Sequence, residues 1–340
     1  MTLSFEPVPL SKVPWQELDS FADRTVHQTQ EWLAFLADTQ AAKPLILQIS
    51  DSEQHVGWFT GAIIKRFGLR ILGSPMRGWT TAHMGFNLVN DALITQAVED
   101  LARFATRSLN CAHLEVLDGR CSSESIPDGF RSTPLNGLVV DLQLTEEQLL
   151  LGMTKNGRRD VRKSLRSGVI VEEVQPEDPK FVGEYYSQAT SAFSKRRLVP
   201  TYPQSRVESL VKHLHPPGNL LLLRAKIPSG ETAATGIFAG LPGGTASFTM
   251  QASDPEFHQW LPNEALIWQA LLQWRERGAV RFDFGGREIG SPTDFKRKFG
   301  GEDLTTQWLR YSRYSFIETA RSLASRTQKS LQRRGIRASG

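Results

Sequence analysis

Only two cysteines, Cys111 and Cys121, occur in 340 residues. Their spacing fits neither a CxxC redox pair nor a paired zinc knuckle, and so few thiols point to a reducing compartment. No window approaches the ~18 consecutive apolar residues that a membrane-crossing helix needs. The first residues carry Glu6 and the prolines Pro7, Pro9 and Pro14 without an apolar run, so no secretory leader is expected and the location expected is cytoplasmic. The chain also lacks G-x-S-x-G, G-x-x-x-x-G-K-[ST], a G-x-G-x-x-G after a strand, and H-E-x-x-H. Those absences set aside nucleophile-elbow hydrolases, P-loop NTPases, dinucleotide enzymes and zincins. His213 and His215 stand beside Pro216 and Pro217, which reads as a loop. No metal is expected.

What is present is an ordinary globular composition with unevenly placed charge. The apolar fraction is 40%, the charged fraction 22% and the formal net charge +4, and the length suits two domains. Residues 155–166 hold Lys155, Arg158, Arg159, Arg162, Lys163 and Arg166 against Asp160 alone. Residues 315–340 hold Arg321, Arg326, Lys329, Arg333, Arg334 and Arg337 against Glu318 alone. Such clusters favour an anionic partner: a phosphate-bearing small molecule, RNA or a lipid surface.

The chain repeats itself. The segment from Asn90 to Val98 lies on the segment from Asn263 to Leu271 with six of nine residues identical, at an offset of 173. Upstream, residues 45–49, 55–65 and 69–72 read as three strands broken by turns, and 220–227, 232–239 and 245–251 read the same way. Downstream, each matched segment opens an amphipathic helix that feeds a short strand, at 113–117 or 280–284. Each copy is therefore an antiparallel meander followed by a helix and a strand. The expected fold class is α/β, with tandem duplicated modules whose mixed, largely antiparallel sheets are flanked by helices. The expected divisions are 1–140, 141–310 and a basic C-terminal helix at 311–340. Between the copies, residues 138–142 read as a strand and Thr145 to Gln148 as a T-x-x-Q capping box. A second helix follows, with Gly168 as its stop before a strand at 169–173.

The richest segment for chemistry runs from Arg281 to Gly301. A strand ends at Gly285 and Gly286, a loop runs to Gly290, and a short helix follows with Ser291 as N-cap and Pro292 as N1. Phe295 and Phe299 would face inward, with Lys296 and Lys298 to either side. Lys296 is a cation available to a developing oxyanion, though spacing alone favours a solvated lysine on a short helix. Asp283 could accept a proton from an attacking amine, or simply bond backbone N–H groups at the strand end. Arg158, Arg162 and Arg166 share one helical face, and Arg196 and Arg197 lie where a fork onto phosphate or carboxylate could form.

The runs MTKNGRRDVRKSLRSGVIVEE, YYSQATSAFSKRRLVP, LPNEALIWQALLQWRERGAVRFDFGG and DFKRKFGG, with HQTQEWLAFL near the start, resemble the FemAB-type branch of the GNAT superfamily. The resemblance spans residues 25–312 and is most specific at FDFGG and FKRKFG. It implies GNAT-like tandem modules, a site where the two modules meet, and transfer of an acetyl or aminoacyl group to an amine of a cell-envelope or polysaccharide precursor. It places Lys296 at the reaction centre and the Arg196–Arg197 region against the acceptor's phosphates. The residues' own pattern adds Asp283 as a catalytic candidate and Phe295, Lys298, Arg158 and Arg162 as candidate substrate contacts. The donor the resemblance implies is acyl-CoA or aminoacyl-tRNA, with no tightly bound cofactor. Partners would be an anionic sugar- or lipid-linked acceptor, with tRNA admitted, DNA not, and peripheral contact at the inner membrane face admitted by the basic tail. Two departures stand against this pattern. The stretches 79–90 and 254–263 lack the glycine-rich pyrophosphate loop of CoA-using relatives, and no heptad-patterned arm for tRNA is present. The second reading is a non-catalytic tandem module that binds an anionic envelope precursor.

Overall fold

The computed structural model describes residues 2–121, 124–175, 177–195, 198–286, 291–314 and 317. The chain opens with β1 (Leu3–Val8), α1 (Trp15–Asp19), α2 (Gln30–Gln40), β2 (Lys43–Asp51), β3 (Gln54–Arg66), β4 (Leu69–Ser74), β5 (Gly85–Leu88), α3 (Ile94–Arg107) and β6 (His113–Asp118). It continues with β7 (Arg131–Asp141), α4 (Glu146–Gly152), α5 (Lys155–Arg166), β8 (Ile170–Glu173), α6 (Phe181–Lys195) and α7 (Gln204–Leu214). The remainder is β9 (Leu220–Lys226), β10 (Thr232–Ala239), β11 (Thr245–Ser253), α8 (Pro262–Glu276), β12 (Arg281–Gly286), α9 (Ser291–Arg297) and β13 (Glu302–Ser312).

Among the described residues, contacts divide the chain into two compact units, 2–137 with 303–314 and 317, and 138–302. The expected second module ran to residue 310, whereas residues 303–312 of β13 belong to the first unit. There β13 runs antiparallel to β6, from Gln307 opposite Asp118 to Ser312 opposite His113. An aligned repeat reveals which strands correspond but not which sheet receives the last of them. The expected C-terminal helix lies outside the described residues apart from 311–314 and 317.

The two units share one pairing scheme. In the first, β1 with β2, β2 with β3 and β3 with β4 are antiparallel, and β4 with β6 is parallel. In the second, β8 with β9, β9 with β10 and β10 with β11 are antiparallel, and β11 with β12 is parallel. Each parallel step needs a crossover, supplied by α3 in one unit and α8 in the other. These are the helices that carry the matched nine residues. The start of the repeat differs locally: Asn90 accepts from the Ala92 N–H at 3.0 Å ahead of a 3-10 turn, whereas Asn263 already lies within α8.

Each unit buries its own core. Phe59, Phe86, Leu101, Leu114, Val116 and Leu309 fill the first. Phe238, Leu266, Leu271, Trp274, Phe282, Phe284 and Phe299 fill the second. The capping box forms as expected: Thr145 Oγ1 accepts from the Gln148 N–H at 3.2 Å, and Gln148 Oε1 accepts from the Thr145 N–H at 2.9 Å. Thr145→Ala should therefore cost about 1 kcal/mol in chemical denaturation. Gly168 takes φ +85° just beyond α5, as a helix stop requires. Two expectations change. Strand β7 starts at Arg131 rather than Leu138, because its first half is largely solvent-facing and interrupted by Pro134, and so shows no apolar alternation. His213 lies in the last turn of α7 and His215 is its C-cap, not loop.

Candidate functional site

Strands β11 and β12 pair only at Thr245 with Arg281, Ala246 with Phe282 and Ser247 with Asp283. Both continue, to Ser253 and Gly286, with no further pairing to each other among the described residues. The parallel strands thus open into a fork beyond Ser247 and Asp283. The residues themselves cause it. Gly285 takes φ +74°, a left-handed conformation that ends the extended ladder. Its N–H turns back to Asp283 Oδ1 at 2.7 Å.

Lys296 occupies this fork. Its Nζ donates to the Phe284 carbonyl on β12 and lies 4.7 Å from the centroid of the Phe248 ring on β11. Both an acceptor and an aromatic face thus hold the ammonium between the diverging strands. Burial pushes its pKa below that of an ordinary lysine, and the nearby Asp283 charge opposes that shift. Asp283 is itself buried, at 4% exposure. The structure thus brings Lys296 and Asp283 together.

The segment bearing Lys296 is fixed from behind. Phe299 stacks on Phe284 with ring centroids 5.9 Å apart, and half-buried Phe295 meets Phe299 edge-on at 5.5 Å. Lys298 Nζ bridges Asp160 Oδ2 at 2.8 Å and Glu264 Oε1 at 3.1 Å, tying the end of α9 to α5 and α8. Burial alone would lower the Lys298 pKa, but the two carboxylates outweigh it and hold it above the usual lysine range. Burial likewise works against ionised Asp160, yet Lys298 and Arg159 hold its carboxyl below the ordinary range. The Lys298 carbonyl accepts from the Thr154 N–H at 3.1 Å. A Cβ at Gly157 would stand 2.0 Å from that carbonyl oxygen, which is why α5 carries a glycine in its first turn.

At the far end of β11 a polar chain leads into α8. Gln251 Nε2 donates to Asn263 Oδ1 at 3.0 Å, Asn263 Nδ2 donates to Ser253 Oγ at 2.9 Å, and Ser253 Oγ bonds His258 Nε2 at 3.1 Å. The N-cap of α8 is Leu261 at φ 56°, with no side-chain cap. The positive end of the helix dipole therefore lies at the close of β11, and Lys298 neutralises the nearest acid, Glu264.

The other residues read as substrate contacts are spread more widely. The Arg158 guanidinium donates to the Leu151 and Met153 carbonyls at 2.6 and 2.7 Å and so closes α4. Arg162 is exposed on α5. Lys298 is held in its ion pairs, and Phe295 packs on the core. Arg196 and Arg197 lie outside the described residues. The Gln251–Asn263–Ser253–His258 chain escaped the sequence reading. Its one signal was Asn263 within the repeat, where the match spoke of ancestry and not of contacts.

Residues 153–297 match the family model of an acetyltransferase (GNAT) domain. Residues 153–297 thus carry a GNAT-type acetyltransferase domain. The fork, Asp283 and Lys296 all fall within that domain. Among solved structures, FemX is similar over 93% of this chain and 99% of its own, with TM-score 0.73 and 14% identity. A tandem GNAT protein from the clavulanic acid biosynthesis pathway is similar over 90% and 98%, with TM-score 0.52 and 13% identity. L-PGS from Bacillus licheniformis is similar over 88% and 97%, with TM-score 0.52 and 12% identity. At such identities the likeness is one of fold, and the fold it shows is the tandem GNAT-like arrangement expected from the repeat. No curated protein sequence matches the chain.

Proposed function

We propose that the β11–β12 fork of the GNAT domain is an N-acyltransferase site, with Lys296 as its catalytic residue. The observation that carries this reading is a desolvated ammonium set between two diverging strands, beside the buried Asp283. An amine nitrogen attacks the donor carbonyl carbon, and negative charge gathers on oxygen. The Lys296 ammonium stabilises that charge in a site that excludes much of the water. Collapse breaks the bond from carbon to the leaving group, which takes a proton from Lys296. The proton released by the new amide nitrogen restores the ammonium. Asp283 acts on Lys296 as a counter-charge and a positioning residue.

The donor we assign is acyl-CoA. Beyond Ser247, β11 pairs among the described residues with β10 alone, so its other edge can take an extended, amide-bearing arm as an added strand. The uncapped start of α8 supplies N–H groups for the phosphates. The acceptor we assign is an amine on an anionic envelope or polysaccharide precursor, attracted by the exposed Arg159, Arg162, Lys163 and Arg166 of α5. Incubation with acetyl-CoA and amino-sugar acceptors, followed by mass analysis, tests the reading. Enzyme-dependent amide product supports it. Turnover with aminoacyl-tRNA alone would reassign the donor.

One observation favours the second reading, a binding module without turnover. Where CoA-using relatives carry a glycine cradle, this chain folds a 3-10 turn from Pro255 to Trp260. Saturable acetyl-CoA binding without product in any acceptor panel would select it.

A further inference from the structure

We propose that the first unit carries a phosphoryl-anion site formed by Arg70, Arg313 and Asn110. These residues line one pocket of about 230 Å³, together with Gly68, Ala112 and Tyr314. At ~30 Å³ per water, that volume holds a phosphate group with its hydration. The backbone builds the pocket: the Ala112 N–H donates to the Arg70 carbonyl at 2.8 Å and the Arg313 N–H to the Ala112 carbonyl at 3.0 Å. Arg70 near the start of β4 and Arg313 just past β13 are thereby brought to one opening.

Among the described residues, no carboxylate lines this opening and neither arginine makes an ion pair. The Arg70 Nε is buried and has no acceptor among the described residues, while the rest of the guanidinium interacts with the Cys111 thiol. Arg313 Nη1 donates to Asn110 Oδ1 at 3.3 Å, which orients one guanidinium without neutralising it. Two guanidinium groups sharing a pocket repel each other and leave donors unmatched, a cost that a bound anion reverses. A tetrahedral phosphoryl group, with oxygens for both forks and charge beyond −1, is the chemistry that fits.

The rim indicates where such a group would come from. Phe67, at the β3–β4 turn next to pocket-lining Gly68, is 87% exposed, with Lys65 and Arg66 before it also exposed. Phe67 keeps the Arg66 guanidinium 5.8 Å from its ring centroid, and a solvent-exposed ring flanked by cations beside a cationic pocket suits a phospholipid headgroup whose acyl region takes the ring. The shared chemistry is the phosphoryl anion, and the test separates its sources.

The full chain is titrated with inorganic phosphate against chloride at matched ionic strength, and with phosphatidylcholine vesicles with and without phosphatidylglycerol. Phosphate binding should weaken about tenfold or more in Arg70→Gln and in Arg313→Gln and stay unchanged in Phe67→Ser. Vesicle binding that needs phosphatidylglycerol and falls in all three variants assigns a headgroup. Phosphate binding without vesicle binding assigns a free phosphate ester. Phosphate affinity equal in wild type and both arginine variants overturns the site, as does vesicle binding that Phe67→Ser abolishes and the arginine variants leave intact. Arg313 is exposed, so Arg313→Gln decides the matter even where Arg70→Gln fails to fold.

Discussion

Lys296→Ala should lower the rate of acyl transfer by about 10²- to 10³-fold, the usual consequence of losing one preorganised oxyanion donor. The loss should fall on kcat, because the interaction strengthens only as charge develops on oxygen. Stability should hold or rise slightly, since removing a desolvated ammonium also removes the cost of burying it. The pH dependence gives a sharper signature. Burial lowers the Lys296 pKa, and the charged form is the active one, so transfer should fall as pH rises through a value below that of ordinary lysine. Lys296→Arg keeps a cation that never deprotonates in this range. That variant should be slower overall, from imperfect placement, yet lose the alkaline limb. Initial rates of thiol release from acetyl-CoA across pH and substrate concentration, for the wild type and both variants, check the kinetic statements, and urea unfolding checks the one on stability.

Lys298→Ala should destabilise the second unit by about 2–3 kcal/mol. It leaves Asp160 and Glu264, at 6% and 5% exposure, facing each other without their shared cation. The partial exposure of the Lys298 side chain, 28%, keeps the figure at the low end of what breaking a buried pair costs. The pH dependence follows from the two shifts. Asp160 is depressed in the folded state, so its contribution is present above the unfolded value of about 3.9 and is lost as pH falls through the folded one. Lys298 is raised, so its contribution is present below about 10.4 and is lost as pH rises through the folded value. The difference between wild type and variant should therefore be largest near neutrality and shrink toward pH 3. Urea unfolding at several pH values measures it. Transfer should also slow, because the same lysine fixes the segment that aims Lys296.

The residues that announced themselves in the sequence were those whose partners lie close along the chain. Thr145 and Gln148 are three apart, Gly168 follows its helix directly, and Phe295 and Phe299 stand one turn apart, so spacing alone revealed their roles. The duplicated module was legible because strand order and the nine-residue match are both local patterns. The clamp behind Lys296 was not. Lys298 meets Glu264 34 positions away and Asp160 138 positions away, and nothing in a basic helix marks its single aspartate as the anchor of a distant lysine. Gly157, a poor helix former by itself, has its reason only in the distant Lys298 carbonyl packed against it. Arg158 looked available to a substrate, because a helical face shows where a side chain starts and not that it folds back onto the carbonyls of α4. The fork itself needed coordinates: FDFGG reads as a strand ending at glycine, and only the pairing register shows the neighbouring strand leaving at Ser247.

The most direct measurement is hydrogen exchange of the intact chain with and without a non-hydrolysable thioether analogue of acetyl-CoA. The account predicts new protection at the amides of residues 248–253 on the open edge of β11 and at the first turn of α8, with Lys296→Ala binding the analogue as well as wild type. Protection confined to other segments, or none at saturating analogue, would contradict it.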